Sequence, residues 1–177
     1  MYKNIDKTLA YRVFSGGPLV CIFTKSSKDV PDGMTAAWSC PFDPDVLLLV
    51  LDKDHTTSEN IKKFVVVLPS EDQKKTALDL GSVHGRDVGN KLQIKDVKTE
   101  KSQKFGLDVM SGALAYFECE LQDEMLFEEK GICLSKVVNV YVKDDSWDDK
   151  EECFNPGFKR TLHHVTGSTF CSGGELV

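Results

Sequence analysis

The chain has 177 residues, with 22 Lys and Arg against 28 Asp and Glu, a formal net charge of −6 and 41% hydrophobic residues. That length suits one domain able to bury about 70% of its unfolded surface. The acidic balance leaves no basic stripe for nucleic acid, and no apolar run is long enough for a membrane helix. The N-terminal Met-Tyr-Lys-Asn-Ile-Asp carries no apolar signal region, which predicts a cytoplasmic protein.

Residues 1–17 hold Tyr2, Leu9, Tyr11, Val13 and Phe14, and Ser15-Gly16-Gly17-Pro18 then interrupts any regular element. Residues 19–24 are β-branched and apolar and predict a core strand. Pro31 and Gly33 mark a turn into a second strand over residues 34–40, so the pair reads as a hairpin. Pro41-Phe42-Asp43-Pro44 forces another turn, and residues 46–51 are apolar on both faces, as in a central strand. Thr56-x-x-Glu59 fits a capping box and predicts a short helix to about Lys63. Residues 64–68 form a strand stopped by Pro69.

Ser70 and Gln73 fit a second capping box, opening a helix through Lys75, Leu78 and Leu80 that Gly81 ends. Residues 81–112, with Gly81, Gly85, Gly89, Gly106 and Gly112 around a lysine-rich middle, read as a long excursion without packed elements. Residues 115–121 alternate, and Ile132, Leu134, Val138, Val140 and Val142 mark one face of a long strand. The acidic run 144–152, which contains Trp147, reads as a solvated surface. The tail, with His163 and His164, shows no regular structure. About six strands and two short capped helices predict a mainly β domain closed as a barrel, which hides its strand edges.

Six cysteines stand at 21, 40, 119, 133, 153 and 171, without a Cys-x-x-Cys pair or zinc-finger spacing, so no metal site is expected. Cys21, Cys119 and Cys133 belong to apolar strands and read as packing residues. Two stretches carry the chemistry. In residues 34–40, Thr35, Ala36 and Ala37 leave room for a flat ligand to lie against backbone. After them, His55 and the three hydroxyls Thr56, Thr57 and Ser58 stand at the expected helix start, where free N–H groups suit a phosphate dianion. No Ser–His–Asp arrangement, no paired hydrolase carboxylates and no Rossmann glycine fingerprint are present.

The order and wording of these elements resemble the flavin reductase-like, FMN-binding split-barrel family, and its flavoredoxin subgroup in particular. The matching pieces are Gly17-Pro18-Leu19-Val20, Met34-Thr35-Ala36-Ala37-Trp38, Phe42-Asp43-Pro44, His55-Thr56-Thr57-Ser58-x-x-Ile61, Phe64-Val65-Val66-x-Leu68-Pro69, Gly85-Arg86-Asp87-Val88 and Glu118-Cys119-Glu120. The resemblance covers about residues 15–143, leaving 144–177 as a C-terminal extension of a single domain.

It implies a mainly β, Greek-key split β-barrel with short flanking helices, holding FMN. The isoalloxazine ring would lie along Met34, Thr35, Ala36, Ala37, Trp38, Ser39 and Cys40. The phosphate would sit at His55, Thr56, Thr57 and Ser58, with Arg86 and Lys91 adding positive charge. A homodimer is implied too, with apolar surface for it at Phe154, Phe158 and Phe170. Two activities fit: a reductase that takes hydride from NADH or NADPH at a shallow site over the flavin, or a flavoredoxin-type carrier that keeps its FMN and exchanges electrons with a protein partner. Hydride transfer needs no general acid, so no catalytic residue follows from the sequence; Thr35, Trp38 and Cys40 are the nearest candidates for tuning the ring.

Overall fold

The computed structural model describes residues 17–26, 28–155 and 159–174; the hydrophobic residues noted within 1–14, and Phe158, lie outside these. The first strands are β1 (Val20–Lys25), β2 (Pro31–Ala36), β3 (Ser39–Asp43), β4 (Val46–Val50) and β5 (Lys63–Leu68). Helices α1 (Lys74–Gly81), α2 (Gly85–Val88) and α3 (Lys91–Ile94) follow. Then come β6 (Thr99–Lys101), β7 (Asp108–Met110), β8 (Ala115–Leu121), α4 (Glu124–Lys130) and β9 (Ile132–Val142). The chain closes on two small hairpins, β10 (Trp147–Asp148) with β11 (Cys153–Phe154), and β12 (Leu162–Thr166) with β13 (Thr169–Ser172).

Seven of these strands form one antiparallel sheet in the order β2-β1-β5-β8-β9-β4-β3. β2 and β3 stand at opposite edges, yet only Ala37 and Trp38 separate them in the chain. Laid flat, the edges would be about 28 Å apart at the usual strand spacing, whereas that link reaches about 10 Å. The sheet must therefore curl until its edges approach, which gives the mainly β barrel expected from the sequence. Among the described residues no ladder joins β2 to β3, so the barrel stays split. The seam is fastened by Ser39 Oγ donating to Pro18 O at 3.1 Å, while Val50 N, donating to Trp38 O at 2.9 Å, extends the β3–β4 pairing.

Strand alternation sorts the apolar side chains into two cores. Ile22, Met34, Leu49, Phe64, Val66, Cys119 and Cys133 unite strands from both halves of the sheet and fill the concave side. Cys21, Phe23, Val65, Val67 and Tyr116 point the other way, under Ala77 and Leu80 of α1, Leu92 of α3 and Val109 of β7. β5 is buried on both faces, which is why its sequence is an unbroken apolar run. Burial pushes the Cys21 thiol up to about 12 and that of Cys133 to about 11, consistent with packing residues.

Several local expectations change. Residues 34–40 are not one strand, because the chain must cross from one sheet edge to the other at Ala37 and Trp38. The segment 81–112 is packed, since Leu92, Leu107, Val109 and Met110 give it an apolar face. Within the acidic run a 3-10 turn (Asp144–Ser146) leads into β10, where Trp147 meets the Phe154 ring edge-on at 5.5 Å. The tail forms the β12–β13 hairpin, docked by Leu19 N donating to Leu162 O at 2.7 Å and Glu71 N to Arg160 O at 2.9 Å. Helix α4 was not foreseen, although Asp123 caps it by accepting from Leu126 N at 2.9 Å. Gly131 ends it at φ 69°, where an added Cβ would meet Leu51 O at 2.5 Å.

Glu118 of β8 ties the excursion to the sheet. Fully buried, it accepts from Lys104 N at 2.9 Å, Phe105 N at 2.6 Å and Asn139 Nδ2 at 2.7 Å. Burial works against its charge, but these donors, Asn139 foremost, outweigh it and hold the carboxyl below its ordinary value. With a folded pKa below the unfolded one, its contribution is full above the unfolded value and is lost as pH falls through the folded one. Glu118→Gln turns an NH2 against these donors and is expected to cost about 1–3 kcal/mol in urea unfolding at neutral pH. The gap from the parent chain should narrow in acid; a gap that does not depend on pH would refute the ionised assignment.

Candidate functional site

Two hollows of about 220 Å³ each open along β2 where it faces the end of α1. Met34, Thr35, His55, Gly81, His84 and Lys91 line one. Thr35, Ala37, Ala77, Gly81, His164 and Phe170 line the other. They share Thr35 and Gly81, and jointly they reach into the usual size range of small-molecule sites, about 300–1,000 Å³. Gly81 adjoins Thr35 there: an added Cβ would sit in ordinary contact, 3.7 Å from the Thr35 Cβ. Thr35 is fixed by donating its hydroxyl to Ala77 O at 2.6 Å. The groove therefore has small residues in its middle, cations at one end and an aromatic hairpin at the other.

The cationic end is organised by buried Asp32. Its Oδ2 accepts from Thr57 Oγ1 at 2.5 Å, and its Oδ1 lies 3.5 Å from Lys91 Nζ. Gly85 passes so close that a Cβ there would come within 2.5 Å of Oδ1. Lys91, 3% exposed, also donates to Gly33 O at 2.7 Å and Leu80 O at 3.3 Å. Burial lowers its basicity, with Asp32 pulling the other way. One carboxylate thus joins β2, the 55–58 turn, α2 and α3.

The three hydroxyls after His55 face three ways. Thr56 Oγ1 accepts from Arg86 N at 3.0 Å, Thr57 donates to Asp32, and Ser58 Oγ donates to Asp52 O at 2.7 Å. No α-helix starts here. A 3-10 turn (Ser58–Asn60) without a side-chain cap is all that forms, because Ile61 and Phe64 draw the chain directly into the core and β5. The expected capping box and helix dipole are therefore absent, and any anion there would be held by side chains. His55 meets His84 edge-on, ring centroids 5.0 Å apart. Burial holds His55 below its ordinary value; Asp52, 4.0 Å away, opposes this, while His84, Lys91 and Arg86 add to it.

Of the residues singled out from the sequence, Met34, Thr35, His55 and Lys91 line the first hollow and Ala37 the second. Arg86 pairs with Glu59 at 3.6 Å, and Ala36 is buried in the concave core. Trp38, 52% exposed, and Ser39 and Cys40 lie beyond the bend at the seam. Sequence reasoning did not place Asp32, Gly81 or His84 in the site; it noted His164 as a tail histidine and Phe170 as spare apolar surface, and both arrive with a hairpin that was not foreseen. A wider depression of about 780 Å³ lies by Lys25, Lys62 and Lys63, but these are engaged by Asp29, Glu124 and Glu120 at 2.9, 2.9 and 3.4 Å. Among the described residues there is no cluster of three or more His, Cys, Asp and Glu able to hold a metal ion, and no helix is long and apolar enough to cross a membrane.

Residues 14–163 match the flavin reductase like domain. The chain belongs to that family. Among solved structures, an FMN-binding domain of a flavin reductases-like enzyme from Shewanella baltica OS155 is similar at 27% identity and a TM-score of 0.83, over 98% of this chain and 94% of that one. Flavoredoxin of Desulfovibrio vulgaris (Miyazaki F) shares the fold at 20% identity and a TM-score of 0.83, over 100% and 96%. So does an FMN-binding protein from Thermus thermophilus, at 18% identity and 0.82, over 100% and 97%. No curated protein matches in sequence. The curled sheet is thus the split barrel of flavin reductase-like proteins.

Lys91→Met would leave Asp32 buried without its cation and is expected to cost about 3–5 kcal/mol in urea unfolding. Asp32→Asn combined with Lys91→Met should recover a large part of that loss. A double-variant loss equal to the sum of the Asp32→Asn and Lys91→Met losses would mean that the pair is not coupled.

Proposed function

We propose that the protein binds FMN in the groove along β2 and acts as an NAD(P)H-dependent, flavin reductase-type oxidoreductase. The observation that carries this reading is the pair of hollows joined at Thr35 and Gly81 and ending at His55, His84 and Lys91, in a chain of the flavin reductase like family. The donor set fits the group. Small residues border a flat space, and three basic side chains gather where the phosphate of FMN would lie. Bound there, FMN would supply the hydride-accepting ring. The chain's own part is to position that ring: Thr35, locked to α1, and Ala37 would border it, while His164 and Phe170 close the far end. Thr57 and Ser58 act through the turn they brace, since their protons already go to Asp32 and Asp52 O.

FMN is expected to bind at least about tenfold more tightly than riboflavin, the least that one charge-assisted hydrogen bond gives. Equal affinities in a fluorescence titration would remove the phosphate role of this end. Anaerobic mixing of the FMN-loaded protein with NADH or NADPH should bleach the visible flavin absorbance. No bleaching with either, together with reduction by a ferredoxin-like protein donor, would replace the reductase by the flavoredoxin-type carrier.

A homodimer belongs to the same reading. Phe154 and Phe170, expected as spare apolar surface, are instead half-buried against the two cores. Among the described residues the exposed apolar side chains include Trp38, 52% exposed, Phe42, 61% exposed, and Val140 of β9, with Ile94, Met125 and Val165 elsewhere. Phe42 lies on β3, whose outer edge is unpaired among the described residues, and such an edge invites a second chain. Light scattering should return about twice the 19.7 kDa chain mass; a single-chain mass with FMN bound would exclude the dimer.

A further inference from the structure

We propose that His84 and His55 form a proton-accepting pair at the cationic end of the groove, so that this chain takes up a proton together with a phosphomonoester dianion. The inference rests on the FMN reading and adds a regulation to it: affinity for the phosphorylated flavin rises as pH falls, whereas affinity for the unphosphorylated flavin does not.

Two segments set the pair in place independently. His55 opens the turn before Ser58, and His84 immediately precedes α2, where Asp87 N donates to its carbonyl at 3.1 Å. The Arg86 N to Thr56 Oγ1 bond locks the segments together at 3.0 Å, and both imidazoles line the same hollow with their rings at 80°. The charges around them nearly cancel in pairs. From β2, Asp32 answers Lys91 of α3; from the turn, Glu59 answers Arg86 of α2, which also carries Asp87. Asp52 stands 4.0 Å from His55 and accepts from Asp54 N at 3.0 Å, with its side chain mostly in solvent.

Two imidazolium rings at this spacing repel each other, and burial lowers the basicity of His55, with Asp52 opposing it. A phosphate dianion in the hollow reverses the balance, because an opposite charge within about 4–6 Å favours the protonated ring. The proton comes from solvent onto a ring nitrogen, and no electrons move. Because the bound state holds more protons than the free one, the affinity must increase as pH falls through the titration of the pair.

The test is calorimetric titration of the whole protein with FMN and with riboflavin, in two buffers of different ionisation enthalpy, near pH 7.5, where a phosphomonoester is mostly dianionic. We expect uptake of roughly half to one proton per FMN and none with riboflavin. His84→Asn should lower that uptake and weaken FMN about tenfold near pH 6.5, with little loss near pH 9 and no change for riboflavin. The affinity ratio of parent to variant cancels the titration of the phosphate itself. His84→Gln, which keeps a hydrogen-bonding amide without the charge, should behave like His84→Asn; retention of the parent's proton uptake by this variant would overturn the proposal. FMN preferred over riboflavin without proton uptake, or equal weakening at both pH values, would also overturn it and leave the FMN reading standing. FMN bound no better than riboflavin would remove both.

Discussion

A two-residue link between strands at opposite edges of a seven-stranded sheet is the constraint on which the rest of this structure depends. Ala37 and Trp38 cannot span a flat sheet, so the sheet curls, and curling brings β2 to the seam with its side chains shared between core and groove. The residues that a flat ligand would approach are thus the residues at which the barrel closes. Small side chains at 35–37 serve both ends: they let the chain turn sharply between edges and leave space beside the backbone.

The cationic end depends on a different kind of fastening. A buried carboxylate is costly unless it is paired and hydrogen-bonded; Asp32 accepts from Thr57 at Oδ2 and has Lys91 at 3.5 Å from Oδ1, partners drawn from segments 25 and 59 residues further along the chain, while Oδ1 itself accepts no hydrogen bond among the described residues. The geometry of the cationic end therefore follows from one buried acid. The same logic holds at Glu118, where backbone donors of the β6–β7 excursion and Asn139 of β9 converge on one carboxylate. Two buried acids, one at each end of the excursion, explain why a glycine-rich, lysine-rich segment packs rather than wandering.

Flavin chemistry asks little of protein acids and bases and much of position and field. That matches a groove whose polar groups are largely committed to one another: the hydroxyls of Thr35, Thr57 and Ser58 all donate within the protein, and Arg86 holds Glu59. The imidazoles of His55 and His84 meet edge-on at one end of that groove, and His164 lies at the other.

The sequence by itself determined the inner strands of the sheet. Residues 20–25, 46–50, 63–68 and 115–121 follow from apolar runs and alternation alone, and the capping residues at 70 and 73 from backbone hydrogen bonding, because these depend on neighbours a few positions away. The words Met34-Thr35-Ala36-Ala37-Trp38 and His55-Thr56-Thr57-Ser58 also supplied Met34, Thr35, Ala37 and His55, which line the two hollows. Only the tertiary structure decided what those stretches touch. The break of one expected strand into β2 and β3, the turning inward of Thr57, the burial of Lys91 and the arrival of His164 and Phe170 all come from closure of the sheet and from contacts across long sequence separations. Local pattern carries no trace of such contacts, since each exists only once a distant partner has been brought within reach.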